Sequence, residues 1–280
     1  MKPDESTYNL RFGGIARLYG LTAMDRLRSA HVCVIGIGGV GSWIVEALAR
    51  SGIGILTLVD PDEVCISNVN RQIHAVDGCI GTSKIETMRD RALLINPQMQ
   101  IQLKPMFLNA NTVDDLLAAD YDYVVDAIDS ADNKCVIIEA CRLRQLPLLC
   151  VGSAGGRTDP GLVTVMDITK TKNDFLIRRI RKQLRRYKGY PRNTKKKWNI
   201  ACVTSDEPTI YPHDDGSTCT TKPKNSGVKK LDCEFGFGAA TFVTGTFGFA
   251  AAAHVVNSLA KADEPLTPPL HGKKVFPPTE

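Results

Sequence analysis

Through the first 168 residues, short apolar runs alternate with segments of helical spacing. HVCVI (31–35) ends in glycines and reads as a buried strand. Residues 42–51 then place Ile44, Val45 and Leu48 on one helical face, and Gly52 stops them. ILTLVD (55–60) is a second strand, and residues 84–95 form a helix halted by Asn96 and Pro97. A weaker strand falls near 100–105, and YDYVVDAID (121–129) is a clear third run. Residues 131–144 are helical, and LPLLCVG (146–152) and LVTVMDI (162–168) are strands. Strand–helix alternation of this kind predicts an α/β fold: a Rossmann-like, doubly wound, mainly parallel sheet with helices on both faces.

The pattern changes after Ile168. Residues 174–187 suit a basic helix with Ile177, Ile180 and Leu184 on one stripe. Residues 188–230 lack periodicity and read as a long loop region, and an apolar helix follows Gly238. The Pro-rich stretch 263–280 reads as a disordered tail. The expected organisation is therefore a nucleotide-binding unit over 10–168, a basic region plus apolar helix over 169–262 packed on the same domain, and the tail.

Composition narrows the class. With 43% hydrophobic and 23% charged residues the chain is globular rather than disordered. The polar N-terminus predicts no secretory leader. Nine scattered cysteines without a CxxC pair point to reduced thiols and a cytoplasmic setting. The uncharged stretch 236–253 is rich in Gly, Ala and Thr, which favours a buried or interface helix over membrane insertion. The net charge of +5 conceals a division: residues 170–197 carry thirteen Lys/Arg against Asp174 alone, so the rest of the chain is acidic. That segregation points to a polyanionic partner. Arg178, Arg179, Arg181, Lys182, Arg185 and Arg186 cluster there. Lys188, Arg192 and Lys195–Lys197 interleave with Tyr187, Tyr190 and Trp198, which suggests RNA phosphates and stacked bases. The competing reading is a solvated helix face.

Gly36, Gly38 and Gly41 fit G-x-G-x-x-G between a strand and a helix, with Asp60 closing the next strand 19 residues on. Glycines let a phosphate approach the backbone, the helix N-terminus favours it, and the acid suits ribose hydroxyls. Arg71 and Lys84 add cations suited to a triphosphate, which disfavours a nicotinamide oxidoreductase. GIGGVGS (36–42), the acids Asp60 and Asp62, Asn68 with Arg71 and Gln72 in SNVNRQ, Lys84, and the Ala127–Asp129 motif resemble the adenylation domain of the ubiquitin-activating superfamily, with its bacterial ThiF and MoeB proteins. RFGGIARLYG (11–20), NRQIHA (70–75), VVDAIDS (124–130), SAGG (153–156), CVTSDEP (202–208) and DCEFGFGAAT (232–241) resemble the tRNA threonylcarbamoyladenosine dehydratase group within it.

The resemblance implies ATP-dependent dehydration of threonylcarbamoyladenosine beside the anticodon of tRNA, through adenylation of the threonyl carboxylate. It implies that Gly39 approaches the nucleotide, Asp60 holds the ribose, Asn68, Arg71 and Lys84 hold phosphates, and Asp129 positions Mg2+. A helix N-cap is the alternative for Asp129, and Asp126 is the structural acid of that strand. A monovalent cation, a homodimer and a sulfur-transfer protein are further expected associates. An N-terminal arginine, Arg17 in preference to Arg11, would act across the dimer. Cys202 is a candidate nucleophile, against a buried structural role. The alternative function is adenylation of the C-terminal glycine of a ubiquitin-like sulfur carrier. The missing CxxC pairs and the basic segment count against it.

Overall fold

The computed structural model describes residues 5–193, 196–213, 215–221 and 237–261. The tail over 263–280, Lys195 and the stretch 222–236, including Cys233 and all of DCEFG, lie outside the described residues. The elements run α1 (Glu5–Tyr19), α2 (Leu21–Ser29), β1 (His31–Ile35), α3 (Gly41–Arg50), β2 (Ile55–Val59), α4 (Lys84–Ile95), β3 (Gln100–Lys104), α5 (Val113–Leu116), β4 (Tyr123–Asp126), α6 (Ala131–Arg144), β5 (Leu148–Val151), β6 (Val163–Asp167), α7 (Phe175–Tyr187), β7 (Ala201–Ser205), β8 (Tyr211–Pro212), β9 (Thr218–Cys219) and α8 (Thr241–Ala260).

Seven strands form one sheet in the order β3-β2-β1-β4-β5-β7-β6, with β8 and β9 as a separate hairpin. Within the seven-stranded sheet every pairing is parallel except that of β6 with β7. Val34 of β1 is in register with Leu58 of β2 on one side and Val125 of β4 on the other. The chain winds outward from β1 to β3, returns to β4 and winds the other way. The β1–β4 junction is thus the topological switch point, where the carboxyl ends of the strands open a crevice.

Period-two alternation divides the core. Val32, Val34, Leu56, Leu58 and Val125 pack under α3, α4 and α8. Cys33, Ile35, Val59 and Val124 pack against α5 and α6 on the other face. A third cluster joins Cys150 and Cys202 to Ile177, Ile180 and Leu184 of α7. All three α7 residues are fully buried, as their spacing predicts, and Asp174 caps the helix by accepting from Ile177 N at 3.0 Å.

The apolar stretch near the C-terminus is α8. It is long and apolar enough to cross a membrane by length and composition alone. Here Val243, Phe247, Ala251 and Val255 are fully buried against the core beneath α3.

One expectation needs correction, and one stretch carried none. The stretch 188–230 is not simply a loop region: β7 lies within it, between β5 and β6. ACVTS is short, and its polar side chains are satisfied outside the strand, one by a distant residue and one by the turn that follows. Thr204 Oγ1 donates to Asp174 at 3.4 Å, and Ser205 Oγ accepts from Glu207 N at 3.1 Å. The helices α1 and α2 also had no clear signature. They are held by a small satellite cluster of Tyr8, Phe12 and Met24, with Tyr8 Oη donating to Gly52 O.

Candidate active site

The site begins at the turn between β1 and α3. Gly36 has φ of 88°, and a Cβ there would press on the Ala127 backbone at 3.0 Å, so both its conformation and its space demand glycine. A Cβ on Gly41 would collide with the Gly36 carbonyl. These two glycines shape the loop. Gly38 and Gly39 instead leave its surface open: a Cβ on Gly39 would first meet the Arg71 side chain at 3.4 Å, and one on Gly38 would meet Gln72 Nε2 only at 4.0 Å.

Asp60 fastens this loop to the next strand. Its Oδ2 accepts from Ile37 N at 2.6 Å, and its Oδ1 accepts from Asp62 N at 2.9 Å. Burial pushes the Asp60 carboxyl up, while Lys84 and the two backbone N–H groups oppose that rise. Lys84 is the first residue of α4, where a buried lysine requires a counter-ion. Its ammonium lies 2.8 Å from Asp62 and 4.0 Å from Asp60. Asn68 is buried, and its Oδ1 accepts from Cys65 N at 3.0 Å, bracing the short turn before Arg71. Arg71 Nη1 donates to Ser67 O at 2.6 Å and to Asn70 Oδ1 at 2.9 Å.

Two residues outside the motifs position Arg71. Trp43 Nε1 donates to its carbonyl at 3.0 Å, and Thr244 Oγ1 of α8 reaches the same oxygen at 3.4 Å. The Trp43 position could have been suspected from its place just after Gly41; Thr244 has no local signal. Buried polar atoms without partners also collect in this part of the chain: Gln72 Oε1, Ser42 Oγ and both ring nitrogens of His74. Burial, with Lys84 and Arg91 nearby, holds His74 neutral with a pKa of about 4.

At the end of β4, Asp126 and Lys134 form an ion pair at 3.0 Å with both side chains fully buried. This is the expected structural acid. Asp129 lies three residues beyond the strand and is exposed. The α6 N-cap is Ser130, whose Oγ accepts from Asn133 N at 3.4 Å. The capping alternative for Asp129 is therefore overturned: Ser130 already occupies that position. Among the described residues nothing pairs with the Asp129 carboxylate, and no cluster of three metal-ligating side chains occurs.

Arg17 is exposed in the last turn of α1, with its guanidinium beside Gly13 and Gly14. Helix α1 is anchored at the amino edge of the sheet: Tyr8 holds Gly52, and Arg11 Nη1 donates to Ile95 O at 3.2 Å. The glycine loop is on the opposite, carboxyl edge, so the structure does not bring Arg17 to its own chain's loop.

Cys202 requires correction as a nucleophile. It is fully buried in β7, and burial raises its thiol well above the ordinary range, with Asp174 adding to the rise. A thiol without solvent access and held protonated is structural. The stacking reading of two aromatics also changes. Tyr190 and Trp198 are buried, pack on each other at 4.6 Å between ring centroids, and close the third core cluster. Tyr187 remains 66% exposed and available. Of the basic residues, Arg179 pairs with Asp132 at 2.9 Å, while Arg178, Lys182 and Arg186 lie exposed along α7.

This geometry meets its counterparts in known proteins. The ThiF family pattern matches residues 13–276. The tRNA threonylcarbamoyladenosine dehydratase of Escherichia coli K12 is 46% identical over 253 residues, covering 90% of this chain and 94% of the relative. The protein of that name from Bacillus subtilis 168 is 34% identical over 242 residues, covering 86% and 91%. The crystal structure of the Escherichia coli dehydratase in complex with ATP superposes with a TM-score of 0.82 at 41% identity, covering 95% of this chain and all of that one. The crevice at the switch point and the sequence around it thus agree on one lineage: the chain belongs to the ThiF family, in its tRNA threonylcarbamoyladenosine dehydratase branch.

Proposed function

We propose that this chain carries out ATP-dependent dehydration of threonylcarbamoyladenosine in tRNA. The observation that carries the reading is the grouping of an open Gly38–Gly39 backbone, Arg71, Gln72 and the Lys84–Asp60–Asp62 cluster about one switch-point crevice. The orphaned Gln72 and Ser42 atoms fit a polar ligand there, since a buried polar group without a partner is costly.

A carboxylate is a poor electrophile, so the reaction first joins it to AMP. The threonyl carboxylate attacks the α-phosphorus, the bond to the β-phosphate breaks, and pyrophosphate leaves. A nucleophile within the same modification then attacks the activated carbonyl, and AMP departs with the carboxylate oxygen. The nucleoside has lost one water, and ATP has become AMP and pyrophosphate. Proximity within one substrate makes a protein nucleophile unnecessary, in keeping with a buried Cys202.

In this scheme Gly36 and Gly41 shape the loop, while Gly38 and Gly39 admit the nucleotide. Asp60 faces the ribose, and Asn68, Arg71 and Lys84 stabilise charge on the phosphates as pyrophosphate leaves. Lys84 exchanges Asp62 for phosphate oxygen. Asp129 fits Mg2+, since its carboxylate is unpaired and this ion keeps most of its water and takes one or two carboxylates beside phosphate oxygens. When bound, that ion neutralises the developing charge. Arg17 serves a second copy of the chain. The exposed Leu10, Leu18 and Leu21 beside it support a homodimer.

The test incubates tRNA bearing threonylcarbamoyladenosine with the protein, ATP and Mg2+, followed by mass spectrometry of the nucleosides. The expected product is lighter by one water and appears with pyrophosphate. Pyrophosphate release that requires a carrier protein instead of tRNA would overturn the reading.

A further inference from the structure

We propose that the cavity between the β6–α7 turn and α7 is a built phosphate site that holds one backbone phosphate of the RNA, remote from the modified nucleoside. This rests on the tRNA reading above and deepens it. The cavity measures about 350 Å³ and is lined by Thr169, Lys170, Thr171, Lys172, Arg181 and Arg185. Among the described residues its lining carries four cationic side chains and two threonines, with no carboxylate.

The two arginines are held in place rather than waving in solvent. Arg181 Nη1 donates to Ile168 O at 2.9 Å and to both Thr171 O and Thr171 Oγ1 at 2.7 Å. That nitrogen fixes the guanidinium, and the other donors of the fork engage no acceptor among the described residues. Arg185 stands one helical turn on, over the Trp198 ring at 5.3 Å, and its buried Nε–H has no acceptor among the described residues. An orphaned buried donor on a cation is costly, and a phosphate oxygen answers it with a charge-assisted bond. Burial lowers the pKa of Arg181, and the neighbouring Arg185 lowers it further against the opposing pull of Asp174, so the two guanidinium groups repel one another.

The nearby acids are already engaged. Asp167 accepts from Thr169 N and Oγ1 and from Trp198 N and Asn199 N. Asp174 accepts from Ile177 N, Ser153 N and Thr204 Oγ1. These carboxylates are thus held by donors other than Arg181 and Arg185, which leaves both guanidinium groups open to an external anion. Strand β6 is four places from β1 in the sheet, roughly 19 Å at the usual strand spacing. A phosphate seated here therefore belongs neither to the ATP of the glycine loop nor to the reacting nucleoside.

The test compares tRNA binding by wild type, a Lys172→Gln/Arg185→Gln variant, and an Arg178→Gln/Arg186→Gln control that removes the same charge from the exposed face of α7. At 0.15 M salt the cavity variant should lose about tenfold or more in affinity and its log–log salt slope should fall by about one unit, against less than about threefold for the control. ATP affinity should not change in either. If the cavity variant fails to fold, Arg185→Lys replaces it; keeping the charge without the fork, it should still lose about threefold. Equal losses in cavity and control variants overturn the proposal. Broadening of inorganic phosphate resonances by AMP-saturated wild type, with tRNA binding indifferent to the cavity variant, assigns the site to a free anion and also overturns it. Wild type that shows no salt-dependent tRNA binding would instead refute the tRNA reading beneath it.

Discussion

Two groups of buried or half-buried cations in this protein are balanced in opposite ways. At the glycine loop, Lys84 sits against Asp62 and Asp60, so its charge is answered within the chain. Along α7, Arg181 and Arg185 are fixed by carbonyls and an indole ring, and among the described residues no carboxylate lines their cavity or pairs with them. The first arrangement makes ligand entry an exchange, in which phosphate must displace an existing partner at short range. That exchange favours a multiply charged ligand that can bind several donors at once. The second leaves a field that reaches out to about a Debye length, ~8 Å at physiological salt, and gathers any polyanion before contact. One region selects, and the other attracts.

The comparison can be broken most severely through a second lysine. Lys134 is paired with Asp126 in full burial and touches no proposed ligand. Lys134→Met should strand a buried carboxylate and cost about 3–5 kcal/mol of stability in urea unfolding. Asp126→Asn with Lys134→Met should recover most of it. Should Lys84→Met behave the same way, with stability lost and per-molecule turnover kept, the exchange role of Lys84 is wrong.

Arg71→Ala should do the reverse. Its melting temperature should stay close to wild type while turnover at saturating ATP falls by about 2–4 kcal/mol of transition-state stabilisation, or roughly 30- to 1000-fold.

His74 reports the field at the glycine loop. Its pKa is about 4 in the fold, against 6.5 for a free side chain. Because the folded value is depressed, its neutral form is favoured by folding. Stability is therefore complete above pH 6.5 and is lost as pH falls from 6.5 toward 4, by on the order of 3 kcal/mol. His74→Phe should flatten this part of the pH–stability curve, and Lys84→Met should raise the His74 pKa in an NMR titration.

Salt should separate the two regions without mutation. Raising it from 50 to 200 mM should weaken tRNA binding about a hundredfold if some four phosphates are engaged. The same change should move ATP affinity by a factor of about three or less, since its charges meet at contact distance and away from bulk ions.

The smallest effect belongs to Cys202. Cys202→Ala should cost about 1 kcal/mol of stability and leave turnover per folded molecule unaltered. A large loss of turnover would restore its candidacy as a nucleophile.

The same contrast governs what could be read before the fold was known. Strands β1, β2 and β4 are runs of apolar side chains buried on both faces, and such runs stand out by themselves. Gly36, Asp60 and Lys84 were legible because strand, turn and helix fix their positions locally. Strand β7 was not: Thr204 and Ser205 look exposed until Asp174 and Glu207 arrive to satisfy them. Trp43 and Thr244 meet at the Arg71 carbonyl from 28 and 173 residues away, a convergence no local pattern encodes. Tyr190 and Trp198 misled for the converse reason. Among so many cations they resembled stacking platforms, yet they are the lid of the α7 core.

The position of β7 also dictates an order of assembly during synthesis. Strand β6 leaves the ribosome before β7, but its partner in the sheet is β7 alone. Residues 163–167 must therefore wait, with the far edge of β5 uncovered, until the arginine-rich helix and residue 205 have emerged. Only then can the last two strands close the sheet together. A chain cut at residue 200 would carry an unpaired β6 and an open parallel edge, the kind of exposed strand that recruits other chains. The nascent protein thus has an interval in which chaperones matter most, set by where one five-residue strand falls in the sequence.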